Sequence, residues 1–433
     1  MITEDIIRRQ ALEKKLLSVS KGTLNVEEKR QISRWRAQEL KEKIEDYLEA
    51  REKIPAGLER AQQVEVRKKR ILSLLGGTEE DWQDWHWQLS NRITRGEILR
   101  EILDLSPRET ALVEEVGRKF RWAISPYYAS LIDPGNPLDP VRLQSVPQIA
   151  ELVPDNGEDD PMAEEFTSPA PRITRRYPDR LIINVTNICP MYCRHCQRRR
   201  NIGEVDRHSP REDLVAALDY VRENPEIRDV LVTGGDTFML SDQQLDWLLT
   251  ELDSIPHVEI KRLGTRALVT MPQRVTPGLS AVLAKHPPLY INTQFNHPQE
   301  VTPEAAEAAD ALIRAGVILG NQAVLLKGIN NDKHVMKRLN HELLKIRVRP
   351  YYIFHAKQVT GTGHFLTSVE EGLEIMEHLR GYTSGLAVPA YIINAPAGYG
   401  KTPMLPEYLI SQGKEKVYIR TWEKRVLEYP NAQ

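Results

Sequence analysis

Residues 189–196 read Cys189-Pro190-Met191-Tyr192-Cys193-Arg194-His195-Cys196 and hold all three cysteines of the 433-residue chain. Thiols spaced C-x3-C-x2-C suit an iron–sulfur cluster that keeps one iron free of protein ligands. Structural zinc wants four ligands. His195 or another histidine could supply the fourth, but this spacing is not that of a zinc knuckle or ribbon. The plainer alternative is a helical face carrying three buried thiols at i, i+4 and i+7. Pro190 and the preceding run Leu181-Ile182-Ile183-Asn184-Val185-Thr186 argue instead for a strand that runs into a loop.

From residue 180 onward, strand and helix patterns alternate, which predicts parallel βαβ units. Strands are expected at 181–186, 229–233, 259–264, 289–294, 317–326 and 348–354. Amphipathic helices are expected near 210–223, 242–253, 276–285, 302–315, 332–345 and 367–380. Six such units are two short of a closed eight-fold barrel, and in barrels of this kind chemistry sits at the C-terminal ends of the strands. The polar motifs fall there: Thr233-Gly234-Gly235-Asp236 after the second strand, Gln294 at the end of the fourth and Gln322 in the fifth. Near the C-terminus, Ala397-Gly398-Tyr399-Gly400-Lys401-Thr402 brings a Gly-rich approach to a lysine, as an amine that reacts with a carbonyl cofactor needs. A Walker loop is the rival reading, but its first glycine is missing and no nucleotide fold follows. Arg176 and Arg180, four apart ahead of the first strand, can fork onto a phosphate.

Charge is nearly balanced, with 59 basic against 61 acidic residues and a net charge of -2. No global field therefore draws the chain to nucleic acid or a membrane surface. It has no run of 18 apolar residues, and residues 1–15 lack the apolar core of a signal peptide. Three clustered cysteines cannot form a disulfide framework, so a reducing cytoplasm is expected. Residues 1–77 read as a helical N-terminal extension, in which Asn25 and Glu28 form a capping box. The stripe Ile32, Trp35, Leu40, Ile44 and Leu48 suits a subunit or domain contact. Residues 78–174 read as a helical and loop region holding Trp82, Trp85 and Trp87, helices near 94–104 and 107–122, an extended Pro-rich loop over 125–137 and an acidic surface loop over 155–165. The barrel is expected over 175–385 and a C-terminal segment over 386–433.

The runs CPMYCRHCQRRR (189–200), RRYPDR (175–180) and APAGYGKTP (395–403) resemble those of the lysine 2,3-aminomutase family within the radical S-adenosylmethionine (SAM) superfamily, and the likeness spans roughly residues 78–425. The resemblance implies an α/β fold, a partial (β/α)6 radical SAM barrel open at one side, with the N-terminal helices and C-terminal segment added. It implies a [4Fe-4S] cluster on Cys189, Cys193 and Cys196, and SAM held near Gly234, Gly235, Asp236, Gln294 and Gln322; many relatives carry His where Gln294 stands. It further implies pyridoxal phosphate (PLP) on Lys401, with Arg176, Tyr177 and Arg180 at its phosphate, and Arg198 on the substrate's α-carboxylate. Relatives have four glycines where this chain has Ala397-Gly398-Tyr399-Gly400.

In the lysine enzymes of that family two aspartates face the substrate's ε-ammonium, and the matching positions here are Lys357 and Asn394. The exchange implies a substrate with a side-chain carboxylate, glutamate before aspartate, and a product in which the α-amino group has moved to C3. Lysine, another polar amino acid, or an electron-carrying iron–sulfur protein without catalysis are the alternatives. A low-potential electron donor and a homo-oligomer are expected. No zinc is expected, because the C-terminal cysteines that bind it in some relatives are missing.

Overall fold

Burial alternates along the parallel strands, and that alternation decides which side chains reach the centre of the molecule. In the computed structural model, which describes residues 24–431, nine strands lie in chain order in one sheet. They are β1 (Ile173–Arg175), β2 (Arg180–Asn184), β3 (Asp229–Thr233), β4 (Ile260–Gly264), β5 (Leu289–Thr293), β6 (Ile318–Leu325), β7 (Arg349–His355), β8 (Ala390–Ala395) and β9 (Gly400–Met404). Strands β2 to β8 run parallel, while β1 and β9 are antiparallel edges. The sheet therefore stays open, as a partial barrel does.

Helices Arg211–Glu223, Asp242–Asp253, Pro277–Leu283, Pro303–Arg314, Lys333–Lys345 and Val369–Leu379 make the crossovers. On one sheet face Leu181, Ile183, Val230, Val232, Leu263 and Ile291 pack into the core with these helices. The other face sends Ile182, Leu231, Arg262, Asn292, Gln322 and Phe354 into a central cavity. A period of two thus sorts each strand into a helix-facing and a cavity-facing row.

All six expected strands are present as β2 to β7; in the same sheet β1 precedes them, and β8 and β9 follow. Strand β8 escapes a hydrophobicity search because only Tyr391, Ile392 and Ile393 precede Asn394. Strand β9 contains Gly400, Lys401 and Pro403, and its proline is tolerated because the strand is an edge.

Two loop expectations need correction. The Pro-rich run after Ser125 contains the helix Pro126–Ser130, whose first turn is capped by the Ser125 hydroxyl, and Tyr127 and Tyr128 in it are fully buried. Proline at the first helical position costs no hydrogen bond. The acidic stretch 155–165 is exposed over much of its length but ends with Glu164 buried in the turn Glu164–Thr167.

The described residues up to Lys53 form one compact unit and those from Ile54 onward a second. In the first, Asn25 and Glu28 complete a capping box on helix Val26–Glu42, and helix Glu45–Lys53 follows. Residues 1–15, expected to lack the apolar core of a signal peptide, and the helices expected up to residue 23 lie outside the described residues. Strands β10 (Leu409–Gln412), β11 (Lys416–Arg420) and β12 (Val426–Pro430) form a separate antiparallel sheet. Among the described residues no helix is long and apolar enough to cross a membrane.

Candidate active site

The loop after β2 carries the three thiols, and neighbouring backbone holds it closely. Gly235 N–H donates to Thr186 O at 2.5 Å and Asp236 N–H to Ile188 O at 2.8 Å. A Cβ on Gly234 would stand 2.5 Å from Thr186 O, and one on Gly235 2.5 Å from Ile188 O. The paired glycines after β3 are therefore needed first for packing against the thiol loop. Within that loop Arg194 is buried and forks onto Glu151 at 3.0 and 2.5 Å, and Arg199 binds the same carboxylate. Burial pushes the Glu151 carboxyl up, but Arg194 and Arg199 outweigh it and hold its pKa below the ordinary range. Arg92 Nη1 donates to Cys189 O at 2.8 Å, which fixes the start of the loop.

All three thiols are free and line the cavity, whose volume is about 240 Å³. Burial, then the charges of Asp236, Cys193 and Cys196, push the Cys189 thiol well up, and burial, then Cys193, also raises Cys196. As thiolates the three sulfurs need cationic partners. Among the described residues no three His, Cys, Asp or Glu side chains gather tightly enough for a single metal ion. A four-iron cube takes one thiolate per iron, so the donor set fits a cluster better than one zinc.

Gly234, Gly235, Asp236, Gln294 and Gln322 all lie in the cavity wall. The Asp236 carboxylate is already engaged, accepting from Thr265 Oγ1 at 2.6 Å, Arg266 N at 2.7 Å and Phe238 N at 3.0 Å. Its side chain ties the end of β4 to the glycine loop. Two buried atoms in the same wall, His195 Nδ1 and Asn292 Nδ2, have no hydrogen-bond partner and could receive a polar ligand such as SAM.

Lys401 enters the cavity from β9, and its N–H donates to the Tyr177 hydroxyl at 2.8 Å. Its Nζ sits 5.2 Å from the Tyr352 ring centroid and 5.6 Å from that of Phe354, with no acid partner among the described residues. Burial, then the Arg262 and Arg180 guanidiniums, lower its pKa to about 8, so a sizeable share is neutral amine near that pH. Arg176 lines the cavity with an unpartnered Nε, whereas Tyr177 and Arg180 back the strand, the guanidinium lying 4.0 Å over the Tyr177 ring. An aromatic wall, a partly neutral amine and nearby guanidiniums fit a pyridine aldehyde phosphate. Ala397, Gly398 and Gly400 all have positive φ, at 53°, 79° and 96°. At Ala397 the Cβ makes that conformation cost roughly 1–2 kcal/mol.

Arg198 and Arg176 both reach Glu164. Arg198 Nη2 lies 2.9 Å and Arg176 Nη2 2.5 Å from its Oε1, while Arg200 stands 3.7 Å from Oε2. Burial pushes Glu164 up, but Arg198, Arg176 and Arg200 together hold its carboxyl below the usual range. Lys357 donates to Gln197 Oε1 and has no acid partner of its own among the described residues. Burial, then Arg198 and Arg176, pull its pKa down to about 7. Asn394 Nδ2 is buried without a partner in the same wall.

Sequence reasoning missed Glu164, Gln197, Arg262 and Arg266. Arg262 could have been found by counting alternate positions along β4, and Gln197 by its place between Cys196 and Arg198.

The C-terminal residues 376–433 match the lysine-2,3-aminomutase family model, and residues 183–339 match that of the radical SAM superfamily. A glutamate 2,3-aminomutase of Clostridioides difficile is 60% identical over 93% of this chain and 95% of its own length. An L-lysine 2,3-aminomutase of Clostridium subterminale is 48% identical over 81% and 85% of the two chains. That of Fusobacterium nucleatum is 47% identical over 86% and 87%.

Glu164 competes with any anion for the same guanidiniums, and a charge-assisted hydrogen bond is worth roughly 1.5–3 kcal/mol. Cofactor-free Glu164→Gln protein should therefore bind inorganic phosphate about tenfold tighter than the parent, as calorimetric titration would measure. Equal affinity would contradict this competition.

Proposed function

Because the chain belongs to the lysine 2,3-aminomutase family of radical SAM enzymes, and is thus a radical SAM aminomutase, we propose that its substrate is L-glutamate and its product β-glutamate. Its cofactors are a [4Fe-4S] cluster, SAM and PLP, which when bound supply a carbon-centred radical and a carbonyl that carries the migrating amine. Cys189, Cys193 and Cys196 would hold three irons of the cluster. The Gly234–Asp236 loop, Gln294 and Gln322 would border SAM. Lys401 would hold PLP through its amine, and Arg176, backed by Tyr177 and Arg180, would attract the phosphate, with Arg262 adding to the same positive field.

One observation carries the choice of substrate: among the described residues Lys357 has no acid partner and Asn394 Nδ2 has no acceptor, and both stand in the cavity wall with Arg198. Arg198 orients the α-carboxylate by a two-pronged contact. The Lys357 ammonium and the Asn394 amide then receive the γ-carboxylate. Aspartate, one methylene shorter, reaches both anchors less well. A lysine substrate would set its own ammonium against Lys357, a repulsion of about 4 kcal/mol at 4 Å in a medium of effective dielectric about 20. The relative named glutamate 2,3-aminomutase, at 60% identity, supports the same reading. The alternative of a non-catalytic electron carrier falls with family membership.

The proposal extends to the setting of the enzyme. A low-potential one-electron donor must reduce the cluster, and clustered free thiols support a reducing cytoplasm. Exposed Leu40 and Leu48 support a homo-oligomer through the N-terminal helices. The near balance of charge supports an enzyme that engages neither nucleic acid nor membrane.

Charge inversion tests the substrate. In Lys357→Asp/Asn394→Asp, glutamate turnover should fall by about a hundredfold or more, from the loss of roughly 3 kcal/mol of charge-assisted contact, and lysine should become the better substrate. Unchanged glutamate turnover in steady-state assays would refute the assignment.

The sign of the pH dependence follows from Lys357. With a pKa of about 7 in the free pocket, it is charged below pH 7 and must take up a proton to receive a carboxylate above it. The KM for glutamate should climb between pH 7 and 9, by up to about tenfold per unit. Lys357→Arg, always charged, should flatten that climb. Parallel profiles for the two proteins would remove Lys357 from substrate binding.

A further inference from the structure

Arg266, at the end of β4, touches neither proposed end of the substrate, yet it is among the most heavily bonded side chains beside the cavity. Its Nη1 lies 2.8 Å from Cys193 Sγ and its Nε donates to Gln294 O at 3.0 Å. Its Nη2 donates to Gln144 Oε1 and to Glu300 Oε1, both at 2.7 Å. The guanidinium also lies 5.7 Å from the centroid of the Tyr128 ring, whose hydroxyl donates to Glu300 Oε1 at 2.6 Å. Glu300 in turn accepts from the N–H groups of Asn296 at 2.6 Å and His297 at 2.9 Å. The Glu300 side chain is fully buried and that of Arg266 is 8% exposed.

The partners come from four stretches of chain, at Tyr128, Gln144, Cys193 and residues 294–300, so the guanidinium is held from several sides with one edge on sulfur. A purely structural arginine would be satisfied by Glu300, Gln144 and the carbonyl of Gln294. The N–H aimed at Cys193 serves none of these contacts. Burying a guanidinium beside a thiolate that also bonds iron places a donor and a positive charge where the electron of the reduced cluster must reside.

We infer that Arg266 is a positioning residue that raises the reduction potential of the iron–sulfur cluster through its hydrogen bond to Cys193. One electron from a low-potential donor adds one unit of negative charge to the cluster. The Arg266 N–H and charge stabilise that reduced form more than the oxidised one. Glu300 opposes this by compensating the guanidinium, so the pair sets the potential between two limits.

The inference rests on Cys193 ligating iron, and the test separates the two statements. The cluster-reconstituted, SAM-free protein is titrated anaerobically with dithionite, and the reduced state is read by electron paramagnetic resonance. If the native protein takes up no iron, the ligand assignment fails. Given a loaded native cluster, Arg266→Gln should lower the midpoint by a factor of about ten in the one-electron equilibrium, which is about 59 mV, at undiminished iron and sulfide content. An unshifted midpoint in Arg266→Gln would overturn the inference. Should that variant fail to hold iron, Glu300→Gln decides, because an uncompensated guanidinium should raise the midpoint. A fall or no change there would equally overturn it.

Discussion

An excess of positive charge, taken out of water and only partly offset by nearby carboxylates, governs this molecule. Arg176, Arg198, Lys357 and Lys401 all stand in one cavity wall, and Glu164 pairs with the two arginines but with neither lysine. Such a gathering is costly in a medium of low dielectric. The two lysines relieve it by losing proton affinity, one to a pKa of about 7 and the other to about 8. Anionic guests relieve it further. A phosphate and the two carboxylates of an acidic amino acid would supply the charge that the protein withholds, so the cavity lining is electrostatically suited to such guests.

The charged wall only matters if the thiols face it, and three buried contacts see to that. Glu151 binds Arg194 and Arg199 from inside the cysteine run. Arg92 takes the carbonyl of Cys189, and Arg266 approaches the sulfur of Cys193. The glycine pair after β3 lets two loops lie in backbone contact, which no side chain at either position would permit. Radical chemistry needs the source of the radical and the substrate held in fixed relation. Here the three thiols and Arg198 lie on one stretch after β2, Arg198 only two residues beyond Cys196.

Much of this could be read before any coordinates. Strand periodicity and the crossover helices placed six parallel strands within a residue or two, and the position of each polar motif at a strand end brought them to one cavity. The cysteine spacing marked the loop that brings three free thiols to the cavity. What escaped had physical causes. Glu164 sits in an acid-rich run whose neighbours are solvated, and only contacts with arginines 12 and 34 positions along the chain draw it inward. Arg266 has no motif of its own, since its role lies in meeting a sulfur 73 residues away. Strand β9 is built from poor strand formers and exists because β8 offers it an edge. Pro126 looked like a loop residue but opens a buried helix turn.

The most direct measurement of the central claim is the product formed by the native enzyme. Protein carrying its cluster, SAM and PLP, reduced under anaerobic conditions, would be incubated separately with glutamate, aspartate and lysine, and each mixture examined by 13C nuclear magnetic resonance. The positive cavity predicts β-glutamate from glutamate, little conversion of aspartate and none of lysine. Conversion of lysine to its β-isomer at a rate matching that of glutamate would contradict the account.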